Sequence, residues 1–137
     1  MTLPTLALIV DDDDDDRFLL ENVIKRTTPD CQVAFARDGQ HALEVLALLP
    51  SCPTFILSDL NMPRMNGLEL LKVLKASKKW QLIPVILFTT TPTAETINEA
   101  YRLNVNGLVG KPSSFLELEK VWHEVYTLWG VLAKRPR

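Results

Sequence analysis

The chain has 137 residues, 47% hydrophobic and 23% charged, enough for one domain with a real core and too few for two. No apolar run approaches the ~20 residues that span a bilayer, and no basic residue precedes Leu6–Val10, so neither a membrane helix nor a secretory leader is expected. A net charge of −2 leaves no basic footprint for nucleic acid, and Cys31, Cys52, His41 and His123 lack zinc or disulfide-scaffold spacing, which points to the cytoplasm.

Leu6–Val10 is a short apolar run ended by charge, the pattern of a strand buried on both faces. From Asp15 the apolar positions Phe18, Leu19, Leu20, Val23 and Ile24 follow a helical period that stops before Thr27-Thr28-Pro29. Cys31–Ala36 alternates as a strand, and Gln40–Leu49 is helical up to Pro50. Thr54–Leu57 is a buried strand ending at Ser58-Asp59, and Gly67–Ala76 is an amphipathic helix carrying Leu68, Leu71 and Leu74. Pro84–Phe88 is another buried strand, ended by Thr89-Thr90-Thr91, and Thr93–Leu103 is a more polar helix. Gly107–Val109 is a very short strand before Gly110-Lys111-Pro112, and a long helix runs from Ser113 to about Leu132, with Ser113 or Ser114 as its cap. Strict alternation of strand and helix predicts an α/β domain, a parallel sheet with helices on both faces.

Charge is unevenly placed along this order. Six of the 17 acidic residues are consecutive, Asp11 to Asp16, and without them the chain would be net positive. In open parallel sheets function gathers beyond the carboxyl ends of the strands. Here those ends carry Asp11, Asp12 and Asp13, then Asp59, then Thr89 and Thr90, then Lys111. Acids placed together repel, by about 0.7 kcal/mol per pair at ~6 Å in water and more in a cleft. A divalent cation removes that cost, and oxygen-only ligands favour Mg2+ or Mn2+ over zinc. A carboxylate beside such a cation, with Lys111 to neutralise phosphoryl oxygens and a hydroxyl nearby, suits phosphoryl transfer to the carboxylate. Asp14, Asp15 and Asp16 read as acids at the favourable end of a helix dipole.

Leu8-Ile9-Val10-Asp11-Asp12, Ser58-Asp59-Leu60-Asn61-Met62-Pro63 with Gly67, Pro84–Thr89 and Lys111-Pro112 strongly resemble the receiver domain of two-component response regulators. The resemblance runs from about residue 5 to 130, with 1–137 as one domain and a basic tail at 133–137. It implies a flavodoxin-like (βα)5 doubly wound sheet in the order 2-1-3-4-5, in three α/β/α layers. It makes Asp59 the phosphoacceptor, loaded by a sensor histidine kinase. Asp11 and Asp12 would hold Mg2+ with Asp59 and the Asn61 backbone carbonyl. Thr89 would move onto the phosphoryl group, and Lys111 would contact it through a cis Lys111–Pro112 turn. The implied function is that of a stand-alone regulator in a phosphorelay, similar to those paired with phytochrome-type kinases. It signals by docking to a downstream protein or by phosphotransfer, gaining and losing phosphate rather than turning over a substrate. Two departures stand out: Leu108 replaces the usual aromatic residue, and Asp13 follows the acidic pair, where it more readily points away from the metal.

Two other readings share the fold. A constitutive binding module would lack part of the set Asp11, Asp12, Asp59, Thr89 and Lys111, and a phosphate hydrolase would carry an Asp-x-Asp nucleophile motif, whereas Asp59 is followed by Leu60 and Asn61. Finally, Phe115, Leu118, Val121, Trp122, Val125, Leu128, Trp129 and Leu132 spread over more of the last helix than one sheet-facing stripe requires. A homodimer through residues 113–132 is therefore expected, against the alternative that the last turn folds back on its own domain.

Overall fold

The computed structural model describes residues 4–133. The strands are β1 (Leu6–Val10), β2 (Gln32–Ala36), β3 (Phe55–Asp59), β4 (Val85–Thr89) and β5 (Gly107–Gly110). The helices are α1 (Asp14–Thr27), α2 (Gly39–Leu48), α3 (Gly67–Ala76), α4 (Ala94–Arg102) and α5 (Phe115–Val125), followed by π-helical turns over Tyr126–Leu132. All strands are parallel, in the order β2-β1-β3-β4-β5, as the resemblance implies. The basic tail Lys134–Arg137 lies outside the described residues.

Strand side chains alternate between two cores. Ala7, Ile9, Phe55, Leu57, Ile86 and Phe88 face α1 and α5, where Leu20, Val23, Ile24, Trp122 and Val125 meet them. Leu8, Val10, Ile56, Val85 and Leu87 face the other way, against Ala42 and Leu46 of α2, Leu70, Leu71 and Leu74 of α3, and Ala100 of α4. Every residue of β3 and β4 is buried, which explains why these strands are apolar runs rather than alternating ones.

Each helix start has a side-chain acceptor. Asp13 caps α1 by accepting from the Asp15 and Asp16 amides, Asp38 caps α2 through His41, and Asn66 and Glu69 form a reciprocal capping box on α3. Thr93 and Ser114 cap α4 and α5. Asp13 is thus committed to the helix end, outside the group formed by Asp11, Asp12 and Asp59.

The helix read from Asp15 is present, with Phe18 and Leu19 exposed, because only Leu20, Val23 and Ile24 fall on the sheet-facing stripe. Two expectations differ from the structure. The Lys111–Pro112 bond is trans, since no peptide bond among the described residues is cis; Lys111 reaches the acidic pocket without that turn. The last helix changes at Tyr126 into π-helical turns that run on to Leu132 and stay packed on the domain. Gly130 is buried there, and Thr5 Oγ1 donates to its carbonyl at 3.0 Å. Trp122 and Val125 are core, and Leu118, Val121, Tyr126 and Trp129 pack against it. Of the apolar set, Phe115, Leu128 and Leu132 stay exposed, beside Leu116 and Val131.

Trp122 ties the ends of this face together. Its ring lies 5.9 Å from Phe55 and 5.7 Å from Tyr126, and Nε1 donates to Thr28 Oγ1 at 3.1 Å. Thr28 Oγ1 donates in turn to the Ile24 carbonyl at the end of α1. Trp122→Phe keeps the ring contact and removes the indole hydrogen bond and some volume. A loss of about 1–2 kcal/mol is expected, read from urea unfolding midpoints at unchanged slope.

Candidate metal and phosphoacceptor site

Parallel pairing sets the strand ends side by side. Val10 is opposite Ser58, Asp59 is opposite Phe88, and Thr89 is opposite Gly110. Asp11 therefore leaves β1 beside the end of β3, and Lys111 leaves β5 beside Thr89. The Asp11 amide donates to the Ala36 carbonyl and the Lys111 amide to the Thr89 carbonyl, which extends the pairing to both residues.

Carboxylate oxygens of Asp11, Asp12 and Asp59 lie within 4.8 Å of one another, with Asp11 and Asp59 buried and Asp12 exposed. Lys111 Nζ stands 2.9 Å from Asp11 Oδ2, 3.2 Å from Asp59 Oδ2 and 2.8 Å from Asp16 Oδ2. Arg17 donates to the Asp11 carbonyl and pairs with Asp14, so it braces the turn rather than the carboxylates. Thr89 Oγ1 is buried without a hydrogen-bond partner. A buried hydroxyl left unpaired costs about 1–3 kcal/mol, which calls for an explanation at a functional strand end.

The electrostatics follow from this crowding. Burial holds the Asp11 carboxyl above its usual value, against the opposing Asp13 amide and Lys111. Burial likewise raises Asp59, which Lys111 opposes and Asp12 reinforces. For Lys111 burial works the other way, yet the carboxylates of Asp16, Asp11 and Asp59 outweigh it and hold the ammonium above its ordinary range. Asp11, Asp16 and Asp59 share one ammonium, and Asp12 stands beside Asp11 and Asp59, so four carboxylates face a single positive charge. An oxygen-only donor set, a charge deficit and an orphaned hydroxyl all fit a divalent cation with an added oxyanion group.

The loop after Asp59 is clamped. The Leu60 amide donates to the Phe88 carbonyl, and the Gly67 amide returns to the Leu60 carbonyl. A Cβ on Gly67 would lie 2.5 Å from the Asp59 carbonyl oxygen, and one on Gly39 would lie 2.6 Å from Met65 Cγ. Arg64 adopts φ 62°, a left-handed conformation costly for a side chain. Its guanidinium meets Asp38 Oδ2 at 2.6 and 2.9 Å. Asn61, whose carbonyl the resemblance makes a metal ligand, sits at the start of this held loop. The Arg64–Asp38 latch and the Asp16–Lys111 contact were not read from the sequence. Both join residues of different elements, and only α1's helical turn could hint at the second.

The chain belongs to the response regulator receiver domain family, whose sequence model matches residues 7–123. It is 31% identical over 130 residues to the probable methanogenesis regulatory protein FilR2 of Methanothrix harundinacea, covering 92% of this chain and 84% of that one. It is 30% identical over 131 residues to the response regulator Rcp1 of Synechocystis sp., covering 92% and 89%. The crystal structure of the Mn(2+)-bound form of Rcp1 superposes with TM-score 0.86 over 98% of this chain and 100% of that one, at 29% identity. The phosphorylated cyanobacterial phytochrome response regulator RcpA gives TM-score 0.90 over 98% and 100%, at 26% identity. No helix among the described residues is long and apolar enough to cross a membrane.

Because the folded-state pKa of Asp59 is raised, its contribution to stability is full below the unfolded value and is lost as pH rises through the folded value. At neutral pH the ionised carboxylate therefore opposes folding. Asp59→Asn should raise the thermal midpoint of the metal-free protein by a few degrees at pH 7, while saturating Mg2+ should stabilise the native sequence more than the variant. Thermal melts in chelator and in Mg2+ read both effects; a lower midpoint for the variant in chelator would contradict the first.

Proposed function

We propose that this receiver domain accepts a phosphoryl group on Asp59 from the phosphohistidine of a sensor kinase and passes the signal by protein docking or phosphotransfer. One observation carries the reading: Asp59 ends the central strand against both the acidic cluster and Lys111, beside the strand end that holds the unpartnered Thr89 hydroxyl.

The chemistry exchanges a phosphoramidate bond for an acyl-phosphate bond. A carboxylate oxygen of Asp59 attacks phosphorus, the phosphorus–nitrogen bond of the donor breaks, and the released imidazole takes a proton from water. Lys111 already donates to Asp59 and stands where it neutralises an equatorial phosphoryl oxygen. Thr89 Oγ1 gains in that oxygen the partner it lacks. Mg2+, or Mn2+ in its place, held by Asp11, Asp12, Asp59 and the Asn61 carbonyl, would supply further neutralisation of the transferring group. The chain is its own substrate, loaded and unloaded once per signal, rather than a turnover enzyme.

Apolar Phe18, Leu19, Phe115 and Leu116 are exposed on α1 and the start of α5. A cavity lined by Leu19, Phe115, Asp11 and Lys111 joins them to the acidic pocket, so a kinase docked there brings its phosphohistidine to the site. Leu108 is half-buried against the α2–α3–α4 core, and the signal then runs through Thr89 and the Thr90–Thr93 turn rather than an aromatic swing. Unpaired Cys31 and Cys52 suit a cytoplasmic setting.

Acetyl phosphate with Mg2+ should add about 80 Da, the mass of HPO3, to the native chain and nothing to Asp59→Asn. Intact mass spectrometry decides the matter, and an undiminished adduct on the variant sinks the assignment. A homodimer is also part of this proposal, through exposed Leu128, Val131 and Leu132 on the π-helical turns that extend α5. Light scattering at micromolar concentration should then give twice 15.5 kDa; a clean monomer with and without phosphorylation ends the dimer.

A further inference from the structure

Lys111 is held by three carboxylates, and one of them has no place in the cation cluster. An ammonium carries three N–H donors, and Asp11, Asp16 and Asp59 stand at 2.9, 2.8 and 3.2 Å from Nζ. Asp11 and Asp59 belong with Asp12 to the group that could hold a metal ion, whereas Asp16 lies in the first turn of α1 with its side chain partly open to solvent. The ammonium itself is mostly buried. A divalent cation entering the cluster competes with Lys111 for the carboxylates of Asp11 and Asp59, and like charges brought that close repel. The ammonium must loosen from those two, and its third partner determines where it goes.

We infer that Asp16 is a positioning residue that retains Lys111 while a divalent cation takes Asp11 and Asp59, keeping the ammonium at the pocket instead of in solvent or in the cation's way. With Asp16 present, the ammonium keeps one full carboxylate partner throughout the exchange. Without it, Lys111 leans wholly on the two carboxylates the cation needs, and cation binding must break both contacts uncompensated. Asp14 and Asp15 share the same helix end, so any benefit to the α1 dipole is common to all three; contact with Lys111 distinguishes Asp16. The inference rests on Asp59 as phosphoacceptor only for its sequel, in which the retained ammonium meets the phosphoryl group.

The test is calorimetric titration of the full chain with Mg2+ alone. Asp16→Asn should weaken binding about three- to fivefold, the scale of a partly exposed ion pair. Asp15→Asn removes the same charge one residue away and should change affinity by less than about twofold. In a Lys111→Ala background, Asp16→Asn should cost no more than Asp15→Asn does, because its effect passes through the ammonium. Equal effects of the two asparagine variants in the native background would overturn the inference. So would an Asp16→Asn loss that persists without Lys111, which would make Asp16 act on the cation directly. Because this readout needs no phosphoryl donor, it stands apart from the mass adduct on Asp59: either result can fail while the other holds.

Discussion

Like charge gathered at one edge of the sheet is the constraint on which the rest of this structure depends. Left alone, Asp11, Asp12, Asp16 and Asp59 would drift apart into water, where each is best solvated. They stay together because the backbone beneath them cannot move. β3 and β4 are buried along their whole length, and Leu8, Ile9, Phe55, Ile56 and Leu57 are each at most 1% exposed. Sliding a strand to relieve the repulsion would turn that set out of its two cores. Apolar burial of the sheet thus opposes electrostatic repulsion at its edge, and burial first, with neighbouring carboxylates adding to it, holds the carboxyls of Asp11 and Asp59 above their usual range.

Loops complete what the strands begin. Asp59 is the last residue of β3, so its side chain is only as steady as the backbone that follows. Close approach of Gly67 to the Asp59 carbonyl, and of Gly39 to Met65, packs that backbone where no side chain would fit. The Arg64–Asp38 ion pair offsets a left-handed residue in the same loop and joins it to the start of α2. Asp38 is nearly buried and accepts from His41 as well. Burial alone would raise its pKa, but the His41 amide and Arg64 outweigh burial and hold the carboxyl below its ordinary value. Its stabilising contribution is present above the unfolded value and is lost as pH falls through the folded one. The latch and the pocket carboxylates therefore respond to acid in opposite senses, and the loop loosens under the very conditions that relieve the pocket.

Most of this architecture was legible because it follows periodicity and punctuation. Leu6–Val10 and Gly67–Ala76 have the bounds read from the sequence, the second because Asn66 and Glu69 cap it and its leucines face one core. Most other elements shift by a residue or two, where capping and pairing rather than apolar pattern set the end, and the α-helical part of α5 gives way to π-helical turns after Val125. Asp11, Asp59, Thr89 and Lys111 were legible from their place after strands, because parallel topology brings such positions to one edge whatever the side chains do. Periodicity does not carry everything. It does not say which apolar residues of α1 meet the sheet: the helix needs only a narrow stripe, and Phe18 and Leu19 face outward. Turns after Tyr126 changed their pitch to bring Gly130 under Thr5, a contact across 125 positions that no local signal announces. The trans Lys111–Pro112 bond corrects an expectation borrowed from resemblance rather than built from residues.

The two oppositely charged partners at the site are not affected alike, and this asymmetry gives the pocket its direction of response. Lys111 gains from its surroundings, with Asp16, Asp11 and Asp59 holding its proton firmly. Asp59 and Asp11 lose, because one shared ammonium does not repay their burial. A site balanced this way is not at rest: it gains by taking up positive charge, and it does so through the residues that lose. A cation held by Asp11, Asp12 and Asp59 would relieve the carboxylates first and leave Lys111 with less to hold. An oxyanion on Asp59 would restore what Lys111 gave up, and beside it the buried Thr89 hydroxyl has a donor without an acceptor. Each arrival would create the deficit that the next one fills, so a cation and an oxyanion would favour each other through the same few atoms, by charge arrangement and without any large movement of the fold.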